Sequence, residues 1–216
     1  MDKFSENKVG SQFLVAQPGK LEVATENVNK ALEEGANPQV IISDALIKGM
    51  EVIGQRFQDG KAFVPNLLMS ARAMKGSLEI LKPLLSDGNN VTLGKIVIGT
   101  VKGDLHDIGK NLVASMFEGC GFEVINLGID VSSEQFVKAV KELNADIVCL
   151  SALLTTTMNY MAEVIKALED AGVRDKVKVM VGGAPLNDNF ARQIKADAYT
   201  SNANAAVQKA KELLGM

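Results

Sequence analysis

The apolar positions of this chain follow two rhythms. From Leu21 to Leu85 they recur at threes and fours, through Ile42, Ala45, Leu46, Met50, Ile53 and Phe57, then Leu67, Leu68, Ala71, Met74, Leu78, Leu81 and Leu85. That spacing puts them on one stripe of an amphipathic helix and predicts helices over about residues 20–34, 38–57 and 65–85. Asn37-Pro38 reads as an N-cap followed by proline at the first helical position. Asp59-Gly60 ends the second helix before Pro65 opens the third. A weaker helix or a flexible lead precedes Pro18, and Ser86, Asp87, Gly88, Asn89 and Asn90 form a polar linker.

After Gly94 the pattern becomes short apolar runs separated by helix-length segments: Lys95–Thr100, Phe122–Asn126, Asp146–Leu150, Val177–Val181 and a weaker Ala198–Thr200. Five β-α repeats need crossover connections, which give a parallel sheet covered by helices on both faces. The expected architecture is an N-terminal α-helical bundle (1–88, with about 1–18 outside its clear helices) and a C-terminal α/β domain (89–216) of flavodoxin or Rossmann type with a five-stranded parallel sheet.

Ligands of such sheets bind beyond the carboxyl ends of the strands, where strand order reverses. The segments to inspect are therefore Gly103-Asp104-Leu105-His106-Asp107-Ile108-Gly109, Ser151 to Thr157, Gly182-Gly183-Ala184-Pro185 and Tyr199-Thr200-Ser201-Asn202-Ala203. All are rich in small and hydroxyl residues that let a large ligand approach the backbone. The P-loop pattern and the G-x-G-x-x-G dinucleotide fingerprint are both missing after the first strand, which weakens a nucleotide-binding reading.

Composition narrows the classes further. Lysine and glutamate are interspersed and the net charge is −3, so there is no electrostatic footprint for nucleic acid or an anionic membrane. No apolar run approaches the ~20 residues of a bilayer span, and Met1 to Lys20 lacks a signal-peptide layout, so the expectation is a cytoplasmic protein. Cys120 and Cys149 read as small buried apolar residues.

His106 is the only histidine. Alone it would be an ordinary loop or structural residue, but Asp104 stands two positions away, placed to bond one ring nitrogen and orient the other toward a ligand. Asp107 reads as a cap for a helix over 108–119. Zinc needs three or four protein ligands, which one histidine and two scattered cysteines do not supply. A single strong nitrogen donor suits a metal that brings its own equatorial ligands, as haem or a corrin does.

Asp104, His106 and Gly109 are followed after 41 intervening residues by Ser151 and Leu153, and after 28 more by Gly182 and Gly183. In these segments and this spacing the chain resembles the cobalamin-binding family that includes the B12 module of methionine synthase and the corrinoid proteins of methyltransferase systems; VKGDLHDIGKNLV is particularly close to the former. The resemblance implies that His106 is the lower axial ligand of cobalt, displacing the cofactor's own base, with Asp104 and Thr157 completing a relay. It implies that the Gly103 to Gly109 loop, with Leu105, Asp107 and Ile108, lies under the corrin. Ser151, Leu153 and Thr155 would line the channel for the nucleotide tail, with Gly182, Gly183 and Tyr199, Ser201, Asn202 and Ala203 closing around it. Read from the residues alone, the glycines are turn residues and the threonine run is a helix N-terminus.

The helical half resembles the family's cap, through Gly49-Met50, Phe57 and Phe63-Val64-Pro65, which would set Phe57 and Val64 over the methyl group; periodicity alone makes them bundle core. A glutamate of the methionine synthase cap corresponds here to Ser43. The two halves account for about residues 20–216 and leave no substrate barrel. The implied function is a methyl carrier cycling between methylcobalamin and cob(I)alamin. Its partners would be a substrate-specific corrinoid methyltransferase and a methylcorrinoid-to-acceptor methyltransferase serving tetrahydrofolate or a thiol, with room for a reductive activator. The alternatives are a subunit of an adenosylcobalamin mutase, a B12-dependent sensor, and a flavodoxin-like module without B12. Donor selectivity, among methanol, methylamines, glycine betaine and methoxylated aromatics, would lie in the partner.

Overall fold

The computed structural model describes residues 20–85 and 92–216; the expectations for the stretch before Pro18 and for the 86–90 linker lie outside them. The chain divides into two units. One takes in residues up to Thr92 together with Glu118–Gly121, and the other Leu93–Phe117 and Phe122–Met216.

The first unit contains helices α1 (Leu21–Glu33), α2 (Pro38–Val40), α3 (Lys48–Gln58) and α4 (Val64–Leu81). The Asn37 side chain caps α2 by accepting the Gln39 N–H at 2.8 Å. The single helix expected over 38–57 is instead composite, because Ile41–Ile47 forms a π-helical stretch between α2 and α3. Its buried residues Ile41, Ile42, Ala45 and Leu46 repeat every four positions. Four residues outrun an α-helical turn by about 40°, and the wider π turn takes up that drift. Helix α4 stops at Leu81 rather than Leu85: Pro83 lacks an N–H, so the chain closes in a 3-10 turn over Lys82–Leu84. Val28, Leu46, Met50, Leu67, Met74 and Leu81 are fully buried, each stabilising the unit by about 1.5–3 kcal/mol relative to exposure. Leu68, expected in this core, is 43% exposed, and Phe63 and Val64 are also exposed at the start of α4. Phe57 is half-buried.

The second unit alternates strand and helix: β1 (Lys95–Thr100), α5 (Ile108–Gly119, whose last two residues count with the first unit), β2 (Glu123–Asn126), α6 (Ser133–Leu143), β3 (Ile147–Ser151), α7 (Tyr160–Asp170), β4 (Lys178–Gly182), α8 (Asp188–Gln193), β5 (Ala198–Tyr199) and α9 (Ala203–Leu213). All strand pairs are parallel, in the order β2-β1-β3-β4-β5. Val97, Val148, Leu150, Val179 and Val181 pack in one cluster with Phe136 and Val140 of α6, Val164 and Leu168 of α7 and Ala191 of α8. Residues of opposite parity, Ile96, Ile98, Ile147, Cys149 and Met180, are equally buried and face the other side of the sheet. Burial pushes the Cys149 thiol well above its ordinary range, so it is a core residue and not a nucleophile.

This order places the reversal between β1 and β3. The chain leaves β1 toward β2 at one side and leaves β3 toward β4 at the other. The loops after β1 and β3 therefore diverge there and leave a crevice, the general ligand position of open α/β sheets.

Candidate functional site

The crevice is organised around one buried carboxylate. Asp104, on the loop after β1, has no exposed surface. Its Oδ2 accepts the Leu153 N–H at 2.8 Å, the Leu154 N–H at 3.3 Å and the Thr157 hydroxyl at 2.7 Å, all from the loop after β3. Its Oδ1 accepts the His106 backbone N–H at 3.1 Å and lies 2.7 Å from His106 Nδ1. Burial by itself would raise the Asp104 pKa, but the donors from Leu153, Thr157 and His106 outweigh it and hold the carboxyl far below the usual carboxylate range. Asp104 is thus ionised and can only accept. Nδ1 of a neutral His106 must carry the proton, which leaves the lone pair on Nε2.

The His106 side chain is 51% exposed. Beside it on the same loops Leu105, Ile108, Leu153 and Leu154 are exposed by 67%, 86%, 44% and 41%. An accessible nitrogen donor among apolar side chains facing water fits a macrocycle that offers a metal at its centre and an apolar rim. Among the described residues no group of three or more His, Cys, Asp or Glu side chains could hold a metal ion.

The structure brings the other sequence-derived residues to the same strand ends in different roles. The Ser151 carbonyl accepts the Val101 N–H at 3.0 Å, tying β1 to β3. Gly183 has φ of 138°, and a Cβ there would overlap the Ala152 carbonyl oxygen, so this turn admits only glycine; at Gly182 a Cβ would meet Thr200 O at an ordinary 3.5 Å. Gly103 has φ of 84°, whereas Gly109 opens onto free space. Thr155 and Ser201 are exposed and Tyr199 is half-buried. Asn202 caps α9 by accepting the Ala205 N–H at 2.8 Å ahead of buried Ala203. Asn202→Ala is expected to cost about 1 kcal/mol in urea denaturation through that cap. Asp107, expected as a cap of α5, directly precedes that helix: its carboxylate accepts the Asn111 side-chain amide at 3.0 Å, and its backbone carbonyl accepts the Asn111 N–H at 2.7 Å.

Four residues of this region escape sequence reasoning. The buried Thr100 hydroxyl donates to the His106 carbonyl at 2.8 Å, and Asp130 contacts the Gly103-Asp104 segment. Lys110 is buried near the start of α5 and donates to Asn111 Oδ1 at 2.6 Å and Asn126 Oδ1 at 2.8 Å. Burial lowers its pKa, with Asp107 opposing. A usable signal existed for Thr100 and Asn126: each is the polar residue closing an otherwise apolar strand at its carboxyl end.

Removing the Thr157 hydroxyl tests the carboxylate's environment. Because the folded-state pKa of Asp104 is depressed, its contribution to stability is complete above the unfolded value of about 4 and is lost as pH falls below it toward the folded value. Thr157→Val is expected to cost about 1–3 kcal/mol at neutral pH and to shrink the loss of stability between about pH 4 and pH 2. Urea denaturation at several pH values reads both.

Known proteins are similar to this chain. Residues 94–208 match the family model for the B12 binding domain, and residues 18–82 match a second model of the same description. A dimethylamine corrinoid protein of Methanosarcina barkeri is 48% identical over 188 residues, spanning 87% of this chain and 88% of that one. Trimethylamine corrinoid protein 2 of Methanosarcina acetivorans is 45% identical over 192 residues, 88% of each chain. Among solved structures, a methanol:cobalamin methyltransferase complex from Methanosarcina barkeri matches with TM-score 0.83 and 32% identity, over 97% of this chain and 81% of that one. A cobalamin-binding protein from Desulfitobacterium hafniense matches with TM-score 0.80 and 36% identity, over 95% and 97%.

Proposed function

Because this chain belongs to the B12-binding family of corrinoid proteins, and so binds cobalamin or a related corrinoid, we propose that it carries a methyl group between two methyltransferases, with His106 as the lower ligand of the cobalt. The observation that carries this reading is the Asp104–His106 pair at the strand-order reversal, which keeps the proton on Nδ1 and Nε2 available. When bound, the corrinoid supplies a cobalt centre that accepts and releases the methyl group.

The chain's own residues do the rest. Thr157 and the Leu153 and Leu154 amides hold Asp104 ionised, Asp104 orients His106, and Leu105 and Ile108 would offer a bound macrocycle apolar contact. The glycine turn at Gly182-Gly183, with Tyr199, Ser201 and the Asn202 loop, and Ser151 and Thr155 beyond β3, would receive the nucleotide tail. In the helical unit, Phe57 and Val64 would shield the upper face, and the exposure of Val64 leaves it available for that task.

The donor we assign is a methylated amine, since relatives near half identity carry dimethylamine and trimethylamine names while the methanol complex matches at a lower identity. The partners would be an amine:corrinoid methyltransferase and a methylcorrinoid:acceptor methyltransferase, with an activator that restores the reduced cobalt. The test is reconstitution with cobalamin, followed by methyl loading from mono-, di- or trimethylamine and from methanol by the cognate methyltransferases. Loading from an amine is the expected result. Loading from methanol alone would overturn the donor, and an adenosyl group found by mass spectrometry on the native cofactor would overturn the carrier reading.

A further inference from the structure

We infer that Asp130, in the loop after β2, is a positioning residue for His106. It rests on reading His106 as the cobalt ligand for its purpose, but its geometry stands independently. The Oδ1 of Asp130 accepts the Gly103 N–H at 2.7 Å, and the Asp130 N–H donates to the Asp104 carbonyl at 3.1 Å. One residue thus grips the chain on both sides of the Asp104 Cα, and the Asp104 side chain in turn sets the His106 ring.

Asp130 does this in a left-handed conformation, φ 53°, which few side chains tolerate and aspartate tolerates best with asparagine. Strained backbone of this kind persists only where surrounding contacts over-determine it, and it collects at functional sites. The segment it grips needs such a hold. Gly103 is itself left-handed at φ 84°, and the residues from Asp104 to Asp107 lie between β1 and α5 outside any helix or strand. Further along, the Thr100 hydroxyl fixes the His106 carbonyl. The loop is pinned at Gly103-Asp104 by Asp130 and at His106 by Thr100, and between these two points the Asp104 carboxylate sets the ring's direction. A charged acceptor makes the Gly103 contact roughly twice as strong as a neutral one.

The chain's single histidine makes the consequence measurable without any corrinoid. Nitrogen-15 NMR of the full-length chain at fixed neutral pH reports the His106 tautomer alone. Asp130→Gly keeps the left-handed backbone and deletes the acceptor; Asp130→Asn keeps both with a neutral oxygen. Wild type is expected to hold the proton on Nδ1. Asp130→Gly should move a readily measured fraction, about a fifth or more, to the Nε2–H form and weaken hydroxocobalamin uptake by about three- to tenfold, near the lower edge of what losing a metal ligand's own hydrogen-bond partner costs. Asp130→Asn should recover most of both. A tautomer ratio and affinity equal to wild type in the glycine variant would overturn the inference, as would an asparagine variant as defective as glycine. If the glycine variant does not fold, Asp130→Ala, which also deletes the acceptor, decides in its place: a displaced tautomer ratio supports the inference, and an unchanged ratio overturns it. Failure of the carrier reading would show separately, as a wild-type protein that accepts no methyl group while its tautomer ratio still answers to Asp130.

Discussion

Replacing His106 with glycine is expected to abolish the histidine-ligated visible spectrum of the cobalamin-loaded protein and leave the spectrum of a cofactor carrying its own base or water, with little change in the fold. The two halves of that expectation have different causes. The imidazole supplies the Nε2 donor, so its loss removes the lower ligand outright and should weaken cofactor retention by about 10- to 100-fold, the usual effect of disturbing a metal ligand's immediate surroundings. The fold is spared because the ring is half-exposed and its loop is held by main-chain groups that glycine retains. The His106 carbonyl still accepts from Thr100, and the backbone N–H still donates to Asp104. Asp104 keeps its three donors from the loop after β3. The remaining cost is backbone freedom, about 0.5–1 kcal/mol. Free imidazole should restore part of the spectrum by occupying the vacated position. An unchanged spectrum in the variant would dismiss His106 as the ligand.

Gly183→Ala should behave in the opposite manner, with a large loss of stability as its first effect. Its Cβ would overlap the Ala152 carbonyl oxygen and come within 2.9 Å of the Ala152 carbonyl carbon. Neither is the flexible end of a side chain. The obstructing carbonyl follows β3 directly: the Ala152 N–H donates to the Gly182 carbonyl at 3.3 Å, and the N–H of the obstructing peptide, that of Leu153, donates to Asp104 at 2.8 Å, so separating the two loops strains both contacts. The φ of 138° adds strain for any residue with a side chain. A loss of at least about 3 kcal/mol is expected in urea denaturation. A variant of wild-type stability would mean that this edge of the sheet adjusts far more freely than its hydrogen bonding implies. By contrast Gly182→Ala, whose Cβ meets only ordinary contact, should be tolerated.

The contrast between these glycines shows how far the sequence could be read. The pair stood out by its spacing from His106 and Ser151, yet nothing in the letters distinguishes a position where backbone forbids a side chain from one where space is available. The same holds for aspartates. Asp104 was found because its partner is two residues away; Asp130, 27 residues from Gly103, offered no local pattern and was missed. In the helical unit periodicity located the helices but not the π stretch, since a four-residue repeat is compatible with a drifting α-helix until packing selects the wider turn. Leu68 lay in the predicted stripe and is exposed, because a stripe specifies a face and not which end of that face has a neighbour.

What the sequence by itself determined is the part governed by short range and by period: two units of different rhythm, the β-α alternation that forces a parallel sheet, and a lone histidine with an aspartate two residues away. What only the tertiary structure decided is where strand order reverses, and therefore that Thr157 and the Leu153 amide converge on Asp104 from a segment about fifty residues away. The reason is physical. A carboxylate's charge state, a histidine's tautomer and a glycine's necessity are set by groups within about 3 Å, and in a crossover fold those groups are brought together by strand order.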